Sequence, residues 1–232
     1  MSRHLVLLPG FMCDDDLWSD MKPNLEAMGS LQFGNVFEDD SLDGMATRVL
    51  GQAPRRFVLV GFSMGGFVAR RIALLAPERV AGVAFICSSA RGHSEAERAG
   101  RDARIAAVRG ATSSGVSRRA YADALHPDRD REPALLDRLR GMSRRLGREV
   151  MIRQLSVARE DGYLELERIL CPALVVAARQ DRLRGFAETE RMARHLPDAR
   201  FEVIEACGHM APLERPRELA HLLADWIAKE AL

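Results

Sequence analysis

The stretch VLVGFSMGGFVARRIALL, residues 58–75, passes from an apolar run through Gly61-Phe62-Ser63-Met64-Gly65-Gly66 into a pattern with helical periodicity. One serine thus stands between glycines at the join of a strand and a helix. Gly61-Phe62-Ser63-Met64-Gly65 fits G-x-S-x-G, and strand before with helix after is the context in which that motif has a mechanical meaning. A turn this tight holds its central residue in a strained backbone conformation, and side chains at the flanking positions would collide with neighbouring backbone. The glycines are then the steric condition for presenting the Ser63 hydroxyl at the carboxyl end of a sheet. The backbone that follows opens a helix, whose free N–H groups and dipole favour a developing negative charge. A plain strand-to-helix turn would satisfy so short a motif equally well, so partners elsewhere in the chain have to carry the case.

Working outward from this join, short apolar runs alternate with helical patterns over residues 4–8, 17–28, 31–37, 42–53, 57–62, 65–75 and 80–87. Continuous Val/Leu/Ile runs with helices between them indicate a parallel sheet covered on both faces. The rhythm returns with strands at 173–178 and 201–204 and helices at 186–196 and 216–227, the last opened by Pro216 and acidic residues. Between the halves, residues 91–160 show no strand pattern and hold 16 Arg against 10 Asp plus Glu. Leu135, Leu136, Leu139, Met142 and Leu146 recur there at helical spacing, which predicts a helical insertion. The predicted organisation is a core of residues 1–90 and 161–232 with a helical lid at 91–160. The lid is expected to turn apolar residues toward the site and arginines outward. Its charge reads either as a solvated face or as a device favouring an anionic substrate or carrier.

Composition narrows the function classes. The 232 residues are 47% hydrophobic and 29% charged with a formal charge of +1, so nothing in the overall balance favours nucleic acid or membrane. MSRHLVLLPG contains one short apolar run, and no later segment approaches a spanning length, which predicts a cytoplasmic chain. Cys13, Cys87, Cys171 and Cys207 are widely spaced and read as packed thiols rather than a zinc or redox site. Neither a dinucleotide fingerprint nor a P-loop is present, so no metal and no cofactor is expected.

A serine hydroxyl needs a base and an orienting acid. Asp181 stands just past the apolar run ALVVAA, and His209 lies in CGHMAPLERP after the last strand pattern, before the final helix. Both positions fall at strand carboxyl ends, the edge where Ser63 stands and where sites of open α/β sheets collect. The order Ser, Asp, His suits an arrangement in which Asp181 fixes the imidazole tautomer and His209 takes and returns the serine proton. His4, His93, His126, His195 and His221 read as surface or capping residues. Leu8-Pro9-Gly10-Phe11-Met12 follows the first strand, so the main-chain N–H groups of Phe11 and Met64 are the expected oxyanion donors. Met12 and Met210, neighbours of these groups in the chain, are the expected substrate contacts.

With these residues placed, the sequence resembles the α/β-hydrolase superfamily, in particular its compact lidded esterase-like branch of pimeloyl-carrier methyl esterases, enol-lactone hydrolases and meta-cleavage-product hydrolases. Residues 7–11 look like the oxyanion loop, 61–66 like the nucleophile elbow, 174–181 like the acid strand, and 208–216 like the histidine loop with its trailing Glu214 and Pro216. Pro9-Gly10 stands where the family usually has His-Gly, which changes what props that loop. Ser63 in place of Asp argues against dehalogenases and epoxide hydrolases. The resemblance implies a mostly parallel sheet; here the sheet is expected to begin directly at the strand that carries the oxyanion loop, without the hairpin that precedes it in longer relatives, which gives about six strands. It also implies cleavage of a small-molecule ester, thioester or lactone through an acyl-enzyme, by a monomer or homodimer. The substrate would be an acyl compound, anionic or carrier-linked. Carbon–carbon bond hydrolysis of vinylogous diketones with the same triad, or ligand binding without turnover, stay open beside it.

Overall fold

A computed structural model describes residues 3–110 and 116–232. Six strands form one sheet: β1 (His4–Leu8), β2 (Ser30–Phe33), β3 (Phe57–Phe62), β4 (Val80–Ile86), β5 (Ala173–Ala178) and β6 (Ala199–Ile204). Their spatial order is β2-β1-β3-β4-β5-β6, and all five pairings are parallel. Helices α1 (Lys22–Met28), α2 (Leu42–Gln52) and α3 (Met64–Leu75) cross between the first four strands. Helices α4 (Glu95–Ala99), α5 (Arg101–Gly110), α6 (Arg118–Asp123) and α7 (Pro133–Ser156) fill the stretch between β4 and β5, and α8 (Tyr163–Leu166) follows. Then come α9 (Phe186–His195), α10 (Ala211–Glu214) and α11 (Pro216–Lys229). Among the described residues no helix is long and apolar enough to cross a membrane.

Alternate side chains of each central strand enter two separate cores. Leu5, Leu7, Val58, Val60, Ile86 and Val176 meet Leu25 of α1 and Leu219, Leu223 and Trp226 of α11. Val6, Leu8, Leu59, Val83, Phe85 and Val175 meet Met45 and Val49 of α2, Val68 and Ile72 of α3, and Met192 of α9. Both faces are covered, which is why these strands read as unbroken apolar runs rather than alternating ones. Each buried Leu or Val contributes roughly 1.5–3 kcal/mol, so the sheet is a stiff platform for whatever its ends carry.

Three of the boundaries that differ from the sequence expectation bear on the loops and edges of the sheet. The helical pattern at 17–28 divides into a single turn of 3-10 helix, Asp15–Trp18, capped by Asp14, and α1, which starts at Lys22 with Pro23 in its first turn. Strand β2 stops at Phe33; Gly34 still donates its N–H to Leu7 O at 2.9 Å, and it lies so close to β1 that a Cβ would be 2.3 Å from the Leu8 side chain. Strand β6 starts at Ala199, two residues early; it is an edge strand whose Arg200 and Glu202 pair with each other at 2.6 Å, and those charges hide the pattern.

The chain leaves β1 toward β2 and returns to β3 on the other side of β1. The loops after β1 and β3 therefore part at adjacent carboxyl ends, where open α/β sheets form crevices.

Candidate active site

Ser63 joins β3 directly to α3 with φ 50° and ψ −110°, left-handed backbone that costs a non-glycine residue about 1–3 kcal/mol. The surroundings hold it there. Its N–H donates to Ile86 O at 2.9 Å, and the buried Ser88 hydroxyl donates to Ser63 O at 2.9 Å. A Cβ on Gly65 would stand 2.3 Å from Leu8 O, and one on Gly61 would stand 2.6 Å from Gly65 O. Only glycine lets helix and strand approach this closely, so the steric expectation drawn from G-x-S-x-G has a specific cause at each position.

Asp181 follows β5 in a turn that it caps itself: Oδ1 accepts from the N–H groups of Leu183 and Arg184, both at 2.8 Å. Its other oxygen is left for His209, whose Nδ1 stands 2.7 Å from Oδ2. An ionised carboxylate can only accept, so Nδ1 carries the hydrogen and Nε2 presents a lone pair. That Nε2 lies 2.8 Å from Ser63 Oγ. The Phe62 ring, 5.1 Å from the imidazole centroid, packs against it. Ser63, Asp181 and His209 are 6%, 8% and 5% exposed, so the three polar groups are held in a low-dielectric setting that strengthens their mutual hydrogen bonds.

The histidine loop is tied down at both ends. Gln180 N–H donates to Cys207 O at 2.9 Å while Gln180 Oε1 accepts from Cys207 N–H at 3.1 Å. Glu214 Oε2 accepts the His126 N–H at 2.8 Å, and Met210 N–H donates to Ala124 O at 3.2 Å, which links the loop to the turn after α6. Burial pushes the Glu214 carboxyl above its ordinary pKa. The cysteines are inert by the same cause: burial raises Cys13 to about 12 and Cys171 to about 11, and pushes Cys87 and Cys207 up as well.

The loop after β1 lies against the serine. A Cβ on Gly10 would meet the Phe62 ring at 2.8 Å and Ser63 Cβ at 3.3 Å. Met64 N–H opens α3 and so has no intrahelical acceptor. The next donor along the β1 loop is already taken: Met12 N–H donates to Gln154 Oε1 at 2.9 Å. Met12 has φ 53°, and the buried Gln154, on α7, holds this strained link while its Nε2 donates to Val36 O at 3.4 Å. No sequence signal singled out Gln154 or Ser88; a buried polar residue gains meaning only from what tertiary folding sets beside it.

A cavity of about 390 Å³ opens over Ser63, lined by Phe11, Met12, Met64, His209 and Met210 together with Val116, Tyr121, Leu139 and Val157 from the helical stretch. All four main-chain and substrate-contact candidates thus border the same space. The arginines do not all turn outward as expected: Arg101, Arg104 and Arg159 of the helical stretch, with Arg184, also line it. His93, read as a surface or capping residue, lines it too and accepts from Arg159 Nε at 2.8 Å. Burial and the adjacent Arg159 push His93 down to about 4, so it is neutral near pH 7. His126 does cap, accepting from Asp128 N–H at 3.2 Å.

Comparison with known proteins agrees with this geometry at the level of fold. Pimeloyl-[acyl-carrier protein] methyl ester esterase of Klebsiella pneumoniae subsp. pneumoniae is 37% identical over 94 residues, which are 37% of this chain and 37% of that protein. The chain therefore aligns with little more than a third of that relative's length. A monoacylglycerol lipase of Bos taurus is 24% identical over 254 residues, 97% of this chain and 75% of that protein. Among solved structures, a thermophilic esterase from Thermogutta terrifontis superposes with a TM-score of 0.88 at 24% identity, covering 99% of this chain and 91% of that one. An enol-lactonase from Burkholderia xenovorans gives 0.84 at 20% identity, covering 98% and 92%. These structural likenesses establish the fold. The sequence model of the alpha/beta hydrolase family matches residues 5–222, nearly the whole chain, and the chain belongs to that family.

Proposed function

We propose that the chain is a serine hydrolase that cleaves a small-molecule carboxylic ester, thioester or lactone through an acyl-enzyme. The observation that carries this reading is the continuous line from Asp181 Oδ2 to His209 Nδ1 at 2.7 Å and from His209 Nε2 to Ser63 Oγ at 2.8 Å. His209 Nε2 takes the Ser63 proton as Oγ bonds to the acyl carbon, and the carbonyl oxygen becomes an oxyanion. The N–H groups of Phe11 and Met64 stabilise that charge. The imidazolium, steadied by Asp181, gives its proton to the leaving oxygen or sulfur as the bond to the acyl carbon breaks. A water then repeats the sequence: His209 takes its proton, its oxygen bonds to the acyl carbon, and Oγ leaves with the proton returned.

Residues 91–160 act as a lid over the cavity, on a core of residues 1–90 and 161–232. The support is that residues of this stretch line the cavity opposite Ser63, and that α7 breaks at Gly147, where φ is 76°. Met12 and Met210 contact the acyl group.

Ser63→Ala is expected to lower kcat for short p-nitrophenyl esters about ten-thousandfold or more while leaving the melting temperature within a few degrees. Retained turnover by a pure, folded variant contradicts the reading.

A further inference from the structure

Of the four arginines that line the Ser63 cavity, Arg101 pairs with Asp102 at 3.7 Å and Arg104 is exposed, whereas Arg159 and Arg184 are half-buried. Arg138, Arg145 and Arg200 are each bound to acidic side chains. Arg159 and Arg184, by contrast, make no ion pair among the described residues, and the acids near them are already engaged: Asp181 holds His209 at 2.7 Å, and Glu97 and Glu188 both pair with Arg91, at 2.8 and 3.1 Å. The two guanidinium groups share the Phe67 ring, 4.9 and 5.7 Å from its centroid. Arg159 Nε is held by neutral His93, and Arg184 reaches only the carbonyl of its neighbour Leu183, at 3.1 Å. The Arg184 Nε is buried without an acceptor.

Such a pair is unfavourable as it stands. Burial, followed by the charge of Arg184, brings Arg159 down to about 9, and burial lowers Arg184 as well. Half-buried cations set side by side with donors unspent lack an anion to accept from them. Both line the cavity that contains Ser63 and His209, so a molecule bound there can supply one. Guanidinium forks match the oxygens of a carboxylate or a phosphoryl group.

We propose that Arg159 and Arg184 form an anion subsite of the Ser63 cavity, which selects esters carrying a second, negatively charged group on the part of the molecule remote from the scissile bond. The subsite rests on the serine hydrolase reading for its role in turnover, while the binding of the anion does not require that reading. Two acyl groups of equal length separate the ideas: p-nitrophenyl hexanoate is neutral, and mono-p-nitrophenyl adipate ends in a carboxylate. The wild-type protein is expected to favour the adipate ester at least about tenfold in kcat/KM, with the preference shrinking as salt rises from about 0.05 to 0.5 M. Arg159→Gln and Arg184→Gln are each expected to lower the ratio of the two kcat/KM values by about tenfold. Arg184→Gln is the safer of the two for folding, because the Arg184 side chain makes one hydrogen bond, to a neighbouring carbonyl, and lies farther than Arg159 from the Phe67 ring. The terminal phosphonate analogue of the adipate ester identifies the anion: preference for it over the carboxylate assigns a phosphoryl group.

A wild-type ratio at or below one, or variants that keep the wild-type ratio, overturns the subsite while leaving the hydrolase reading intact. Should the wild-type protein turn over neither ester, that reading fails, and calorimetry with adipate alone then reads the subsite. Adipate binding that Arg184→Gln weakens about tenfold upholds it, and no binding at millimolar adipate overturns it.

Discussion

The carboxyl edge of the sheet and the helical stretch between β4 and β5 border the same cavity, yet they are held in different ways. At the sheet edge, Ser63 and Asp181 leave strands buried on both faces, His209 follows the edge strand β6, and main-chain hydrogen bonds fix each turn. In the helical stretch, position depends on side chains: Arg138 and Arg145 of α7 bind Asp14, Asp16 and Asp20, and Gln154 reaches Met12. Exposed ion pairs of this kind contribute about 0–1 kcal/mol each. The hydrogen-bonded line from Asp181 through His209 to Ser63 thus rests on the sheet, while part of the cavity wall rests on a helical stretch positioned by side-chain contacts.

The contrast is broken most forcefully at Asp181. Asp181→Asn leaves the two N–H bonds to Oδ1 a possible acceptor but offers His209 Nδ1 a group that can present the wrong tautomer partner. A loss of about ten-thousandfold in kcat is expected for p-nitrophenyl butyrate. A variant within tenfold of wild type would show that the sheet edge does not hold the chemistry in the manner described.

Gln154 lies where the two regions meet. Gln154→Met removes the acceptor of a buried N–H, a loss of about 1–3 kcal/mol, and frees the strained Met12 link beside the Phe11 donor. The expected result is a fall in kcat of about ten- to a hundredfold with KM changed less than about threefold, since the oxyanion exists only in the transition state. Gln154→Glu keeps the oxygen that accepts from Met12 but sets a second acceptor against Val36 O and buries a negative charge beside the oxyanion, so it is expected to restore little of kcat. A change confined to KM would make Gln154 a wall of the pocket rather than a support for the oxyanion loop.

The smallest effect belongs to the helical stretch and is read by pH. His93, facing Arg159, Arg104, Arg184 and Glu97, has its pKa lowered to about 4 from about 6.5. Between these values the unfolded chain binds a proton that the folded chain refuses, so this group lowers stability as pH falls from about 6.5 to about 4 and adds nothing above that window. Melting curves of His93→Gln are expected to decline less steeply than wild type across that window and to run parallel to it above pH 7. Parallel curves throughout would show that His93 is not held neutral by its arginine neighbours.

What the sequence made legible follows the same division. Two-sided burial writes itself into β1, β3 and β5 as continuous apolar runs, so their ends place Ser63 and Asp181 at one edge, while His209 is placed by the short apolar run of β6 and the helix that follows. Strand β6 begins ahead of its apolar run because an edge strand bears charges such as Arg200 and Glu202 that a central strand excludes, and β2, the other edge, ends at Phe33, ahead of the end of its apolar run. The polar walls were not legible. Helical periodicity marks Leu135, Leu136, Leu139, Met142 and Leu146 as inward; the first four are buried, and Leu146, next to the break at Gly147, is half-buried. It does not say that Gln154 turns to the oxyanion loop, or that Arg159, past the end of α7, turns inward and meets His93 sixty-six residues away.

The account stands or falls on a hydroxyl activated by its neighbours, and mass spectrometry after treatment with a fluorophosphonate reads that property directly. The account predicts a single adduct on Ser63, formed quickly by the wild-type protein and at least about a thousandfold more slowly by His209→Ala. An unmodified Ser63 in the folded protein, or equal labelling of the His209→Ala variant, would contradict it.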